Sequence, residues 1–256
     1  MQDFSSSDWP QLAAANGLAS FESIWALDVG WFEAPNVRRG GWSGVTRLEV
    51  VRAGGHHEHL FIKRQENHGT LSWRHPFKGI STFRREFQNL MMLQAGAVPT
   101  LEVLYFAECH VAGDRRAILV TRELEGYASL AACMADWQQH GFPETAVWRE
   151  TLQRIAAVAR GMHRHRIQHN CFYPKHIFIG ELQGQVDVRL IDLEKAKRRC
   201  SRKLAMLRDL DCLNRRVPAV SSTDRLRFLL AYHEVDRVNA RVRKTWIKLL
   251  AMQHRK

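Results

Sequence analysis

At 256 residues, 45% of them hydrophobic and 25% charged, the chain can bury a core in one or two compact units, which excludes intrinsic disorder. Its 16 glycines and 7 prolines form no repeat or low-complexity tract, and its longest apolar stretches, such as residues 155–159, fall far short of the roughly 20 residues that span a bilayer. The formal net charge of +12 is one-sided: residues 1–121 carry 12 Lys and Arg against 12 Asp and Glu, whereas residues 195–256 carry 18 against 5.

The first ten residues hold Asp3 and Asp8 and no basic segment ahead of an apolar run, so they do not read as a secretory signal. Between residues 23 and 51 apolar and polar positions alternate around a break at 36–44, and the alternation resumes at 60–63, which predicts three strands. The glycine-bearing stretch 39–44 reads as the turn between the first two, and Gly54 with Gly55 closes the second hairpin. Ser81 or Thr82 caps a helix in which Phe83, Phe87, Leu90 and Met91 recur at helical spacing until Gly96. Strands follow at 103–109 and 116–121, joined by a turn at 112–114. Helices then take over, at 129–139 and 144–166, followed by an irregular loop at 168–175 and a short strand at 177–179. A turn through Gly180 and Gly184 leads to a strand at 186–191, and from about Lys203 the chain is helical again. The divisions expected are residues 1–121, a hinge at 122–126, and residues 127–256.

Phosphoryl transfer from ATP calls for a loop over the phosphates, a lysine on a strand, a carboxylate that fixes the lysine, and groups that hold a metal. Gly40, Gly41 and Gly44 suit the close approach of backbone amides to phosphate oxygens, although glycine turns are common without any ligand. Lys63 follows the apolar run Leu60-Phe61-Ile62 and needs a partner, and Glu86, in the first half of the predicted helix, is the natural counter-charge. Taken alone, these two read rather as a surface lysine and a solvated carboxylate. The stretch from His169 to His176 has the spacing of the protein-kinase catalytic loop, His-Arg-Asp followed after four residues by Asn. Asp192 then ends a strand where a kinase places its metal-binding aspartate. His176, at the asparagine position, reads as a metal ligand, as a group orienting Asp192, or as a hydrogen-bonded structural histidine. Lys175 reads as positive charge beside the transferred phosphoryl group or as a solvent-facing loop residue.

On these residues the chain resembles the lipopolysaccharide core-sugar kinases of the Kdo/WaaP and InaA type, over about residues 30–232. The resemblance rests on His169 to Phe178, on Ile191-Asp192-Leu193, and on Arg208-Asp209-Leu210-Asp211-Cys212-Leu213. It implies an α+β, bilobal, protein-kinase-like fold, with a small antiparallel N-lobe sheet carrying one helix and a mainly helical C-lobe. It implies ATP and Mg²⁺ as cofactors, with Lys63 on the ATP phosphates, Glu86 paired with it, Asp192 on Mg²⁺, and Asp209 bracing the catalytic loop. Lys63 and Asp192 are expected to grip one nucleotide. The acceptor implied is a heptose or Kdo hydroxyl of the lipopolysaccharide core or its lipid-linked precursor. The place implied is the cytoplasmic side of the inner membrane, with the protein peripheral to it.

One residue departs from that pattern, because Cys171 stands where the catalytic aspartate belongs, two residues after His169. A thiol accepts a hydroxyl proton poorly and carries no charge unless its pKa is depressed. Two readings follow: an atypical kinase slowed by roughly 10²–10⁴ through loss of the base, and a nucleotide-binding pseudokinase or scaffold. Thiol catalysis by Cys171 has only His169 beside it and no further support.

Other signals are set aside. The run His56 to His59 reads as an exposed hairpin, and His163 and His165 read as carbonyl caps at a helix end. Residues 235–253 form a basic pattern that rests on anionic lipid or packs on the lobe with a basic outer rim. No recognisable nucleic-acid motif with base-stacking aromatics appears among the basic runs, which argues against nucleic acid. Five cysteines without a Cys-x-x-Cys pair argue against a disulfide framework and for a reducing cytoplasm.

Overall fold

A computed structural model describes residues 4–38, 40–72 and 75–253. Contacts divide the chain into two units, Met1–Met91 with Leu101–Glu125, and Met92–Thr100 with Gly126–Lys256.

The first unit contains β1 (Phe4–Ser5), α1 (Trp9–Ala15), α2 (Phe21–Trp25), β2 (Trp31–Arg38), β3 (Gly41–Val51) and β4 (His57–Glu66). It continues with β5 (Gly69–Ser72), β6 (His75–Ser81), α3 (Thr82–Ala95) as far as Met91, β7 (Val103–Val111) and β8 (Asp114–Arg122). Six strands form an antiparallel sheet in the order β1-β7-β8-β4-β3-β2, while β5 and β6 pair with each other. β1 covers the start of β7, with Phe4 opposite Phe106 and Ser5 opposite Tyr105. At the other border β2 contains Pro35 and shifts register against β3 between Trp31 and Glu33 and again between Glu33 and Asn36.

Alternation along β4 separates its two faces. Leu60 and Ile62 are buried in a core with Trp9, Leu12, Leu18 and Ile24, each large side chain contributing about 1.5–3 kcal/mol, which leaves Lys63 on the opposite face. The core also explains two helices that the alternation did not predict, α1 and α2, so the described residues of this unit form three helices rather than one. α2 occupies residues read as the start of a strand. Ser20 caps it reciprocally: the Ser23 amide donates to the Ser20 hydroxyl at 3.0 Å and the Ser20 amide to the Ser23 hydroxyl at 3.1 Å. The glycine stretch is likewise redistributed. Arg39 lies outside the described residues, Gly40 occupies the turn at φ +77°, and Gly41 and Gly44 belong to β3. A Cβ at Gly44 would meet the Trp31 ring, so packing accounts for that glycine.

The second unit contains β9 (Ala128–Ser129), α4 (Leu130–His140), α5 (Thr145–Arg164), β10 (Ile167–Gln168), β11 (Ile177–Leu182) and β12 (Gln185–Leu190). Then come β13 (Lys197–Arg198), α6 (Arg202–Asn214), α7 (Ser222–His233) and α8 (Ala240–Gln253). α5 buries Leu152, Ile155, Ala159 and Met162, a helical stripe at the centre of this unit. The β11–β12 hairpin turns at Gln183 and Gly184, so Gly180 lies inside β11 and not in the turn. The Tyr127 ring covers Gly180, and its hydroxyl donates to Asp187 at 2.7 Å. Thr100 ties the segment after α3 to β12, its hydroxyl donating to the Leu190 carbonyl at 2.7 Å. Among the described residues no helix is long and apolar enough to cross a membrane, and all five cysteines are free thiols.

Candidate active site

In the first unit β4 sets a cluster around Lys63. Gln65, two residues from Lys63 and on the same face, accepts at Oε1 from the Phe83 amide at 3.0 Å and from the Thr82 hydroxyl at 2.7 Å. Ser81 accepts from the Arg84 amide at 3.0 Å, so the N-terminus of α3 is capped by residues that also fix it against β4. One turn on, Glu86 meets Lys63, with Nζ to Oε1 at 2.7 Å, and the Glu86 side chain is only 1% exposed. A carboxylate this deeply buried is costly without its cation, by about 3–5 kcal/mol when one partner is removed. The arrangement holds an ammonium group on a rigid strand, suited to pair with a polyphosphate.

In the same unit, His59, Glu123 and Glu125 bring one ligand atom each within 4.8 Å of one another. Arg47 already clamps Glu123, at 3.1 and 3.0 Å. His57 to His59 lie in β4, so this run is mostly strand and not the exposed hairpin turn the sequence suggested.

The second unit carries its own cluster, the loop from His169 to His176, and Asp209 of α6 organises it. Its buried carboxylate accepts the His169 amide at 2.7 Å, the Asn170 amide at 3.1 Å, and His163 Nε2 at 3.1 Å. His163 Nδ1 in turn meets the Tyr232 hydroxyl at 2.9 Å. His163 is therefore a buried link in a polar chain and not the helix cap its neighbours suggested; only its distant partners, Asp209 and Tyr232, reveal that role. Asn170 adopts the left-handed conformation at φ +65°, which asparagine tolerates, and its side-chain amide donates to the Lys195 carbonyl at 2.6 Å.

His169 donates from Nε2 to the Ile191 carbonyl at 3.0 Å, tying the loop to the residue before Asp192. Burial pushes its pKa below the usual histidine value, and its Nδ1 is buried without a hydrogen-bond partner, as suits a neutral ring protonated at Nε2. His176 donates from Nδ1 to the Cys171 carbonyl at 2.8 Å and aims Nε2 at Asp192 Oδ2, 3.0 Å away. Burial lowers the His176 pKa too. The rings of His169 and His176 stack at 5.8 Å, Tyr173 stacks on His176 at 5.5 Å, and the Arg216 guanidinium lies 3.9 Å from the Tyr173 ring centre. Asp192 is half-buried, left-handed at φ +57°, and immediately precedes the short 3₁₀ turn Leu193–Lys195. Cys171 is buried, and its carbonyl also takes the Tyr173 amide at 2.7 Å, whereas Lys175 is exposed.

A family profile described as "Lipopolysaccharide kinase (Kdo/WaaP) family" matches residues 22–232. The chain belongs to this family. It is 32% identical to Protein InaA of Escherichia coli (strain K12) over 207 residues, covering 80% of this chain and 91% of that protein. Among solved structures, "WaaP in complex with acyl carrier protein" superposes with a TM-score of 0.71 at 21% identity, covering 100% of this chain and 97% of that one. The α+β, protein-kinase-like fold is thus that of a Kdo/WaaP protein, and the coarse activity the family carries is phosphoryl transfer by a lipopolysaccharide kinase.

The donor set of this Kdo/WaaP chain fits a hard cation at Asp192. In a neutral His176 ring the lone pair of Nε2 faces the Asp192 carboxylate, two electron-rich atoms 3.0 Å apart that call for a proton or a cation near them. Mg²⁺ takes oxygen ligands, which favours the half-exposed carboxylate and leaves the imidazole as the group that orients it.

Proposed function

We propose that this Kdo/WaaP family member is an ATP- and Mg²⁺-dependent kinase that phosphorylates a heptose or Kdo hydroxyl of the lipopolysaccharide inner core, peripheral to the cytoplasmic side of the inner membrane. The observation that carries the reading is the Lys63–Glu86 pair at 2.7 Å, an ammonium group fixed on β4 by a buried carboxylate. Lys63 pairs with the nucleotide phosphates, and Glu86 keeps it in place. Mg²⁺ held by Asp192 supplies charge neutralisation for the phosphates. His176 orients the Asp192 carboxylate, and His169 fixes the strand end that precedes it. Lys175 adds positive charge beside the transferred group, and Gly40 gives the β2–β3 turn a backbone able to approach phosphate oxygens. Lipopolysaccharide core or its lipid-linked precursor is the partner.

A second reading rests on Cys171. Cys171 offers a buried thiol and no carboxylate with which to receive the acceptor proton, and this favours nucleotide binding without rapid turnover.

The test is a thermal melt with Mg-ATP in the wild type and in Lys63→Ala. At a nucleotide concentration 100-fold above Kd, bound ligand adds about 2.7 kcal/mol, a rise in Tm of roughly 5–10 °C for a protein of this size. The wild type shows that rise and Lys63→Ala does not; a wild type indifferent to Mg-ATP ends both readings. Mass spectrometry of core oligosaccharide from cells with and without the protein then separates them. One phosphate's difference supports the kinase, whereas nucleotide binding without that difference supports the pseudokinase.

A further inference from the structure

From Ala240 to Gln253, α8 carries Arg241, Arg243, Lys244 and Lys248 and no acidic residue. Its inward side chains, Val242, Thr245 and Leu249, are buried, so its apolar stripe is already used in holding the second unit together. The outward side nevertheless keeps two large apolar residues in water, Ile247 at 63% exposure and Leu250 at 41%, set among Arg243, Lys244 and Lys248. The first turn of α6, a neighbour of α8, adds Lys203 and Leu204, the latter 43% exposed. Single exposed apolar side chains are ordinary, but three of them interleaved with cations on two adjacent helices are not.

The charges within this patch are crowded. The Lys203 and Lys248 ammonium groups face each other, and Lys203, then Lys244, hold the Lys248 pKa below the usual lysine range. The acids of α6 and α7 are engaged elsewhere: Asp209 holds the loop, Asp211 pairs with Arg215 at 2.7 Å, and Asp224 pairs with Arg227 at 2.7 Å. Like charges left this close favour a surface that brings anions to them.

We infer that the outer side of α8, with the first turn of α6, lies on an anionic lipid bilayer, with Lys203, Lys244 and Lys248 against the headgroups and Leu204, Ile247 and Leu250 in the headgroup–acyl boundary. Lipid suits both features of the patch. Mobile headgroups settle around cations without needing a matched geometry, and the acyl boundary accepts the apolar tips, which a nucleic-acid backbone would leave in water. The inference rests on this surface alone and not on the kinase reading, so either stands if the other fails.

The full-length protein is sedimented with vesicles of phosphatidylcholine, or of phosphatidylcholine with a third of phosphatidylglycerol, at low and high salt. The wild type binds the anionic vesicles at least about tenfold more tightly than the neutral ones, and added salt weakens that binding. The double variant Lys244→Glu with Lys248→Glu loses at least about tenfold in affinity for anionic vesicles. Ile247→Ser loses severalfold while keeping its affinity for heparin, a soluble polyanion with no apolar phase. Both variants change exposed or partly exposed side chains, and their melting curves confirm that they remain folded. The proposal is overturned if the wild type ignores anionic vesicles, if the charge-reversal variant still binds them as the wild type does, or if Ile247→Ser binds them unchanged. The last result would mark a general polyanion surface.

Discussion

Both carboxylate oxygens of Asp209 are engaged by backbone amides of the loop, so this residue supplies the acceptors for the His169 and Asn170 amides. Asp209→Ala leaves one buried and one partly buried amide unpaired and is expected to cost about 3–5 kcal/mol, read as a lower urea midpoint. Asp209→Asn keeps one carbonyl acceptor and is expected to cost less, about 1–3 kcal/mol. The histidines make a separate prediction. Burial lowers the folded-state pKa of His169 and of His233, and Arg241 and Arg202 lower His233 further. The unfolded chain takes up protons near the ordinary value of about 6.5 and the folded chain only below it, so this contribution is present above that pH and lost as pH falls through it. Urea midpoints from pH 8 to pH 5 are expected to be level at first and then decline, and His169→Gln is expected to flatten the decline. At this scale the sequence was informative for some residues and silent for others. Lys63 and Glu86 were legible because a strand and a capped helix place them, and the loop was legible from its spacing. Asp209 was visible only through family resemblance, and His163 only through partners 46 and 69 residues away.

Elements were legible where periodicity was long and caps were plain. α3, α5 and the β7–β8 hairpin lie within a few residues of the predicted positions. α2 was misread because five residues are too few for a helical period to stand out, while the Ser20–Ser23 reciprocal cap decides the local conformation. α1 and the β5–β6 hairpin went unread for the same lack of pattern. Gly180 shows how context overrides turn chemistry: its missing side chain makes room for a ring and does not mark a bend. Gly180→Ala is therefore expected to displace Tyr127 and weaken its hydrogen bond to Asp187, costing about 1–3 kcal/mol in a calorimetric melt. Tyr127→Phe, which keeps the ring and loses only the hydrogen bond, is expected to cost about 1 kcal/mol.

Across the whole molecule the thiols divide by burial. Cys200 is exposed, Cys109 and Cys133 are partly buried, and Cys171 and Cys212 are buried, with burial pushing the Cys212 thiol up to about 11. In a thiol-titration time course Cys200 is expected to react first and Cys171 and Cys212 only on unfolding, and a reductant is expected to leave Tm unchanged. The sheet of the first unit has a further consequence at this scale. A strand border with unpaired amides is a template on which other chains can grow, and here each border is guarded differently: β1 lies over the start of β7, while Pro35 and two register shifts spoil the regularity of β2. The two residues of β1 thus act as a stopper against fibril-like association, and trimming them would uncover an apolar rim around Phe106 and invite the chain to stack on its own copies.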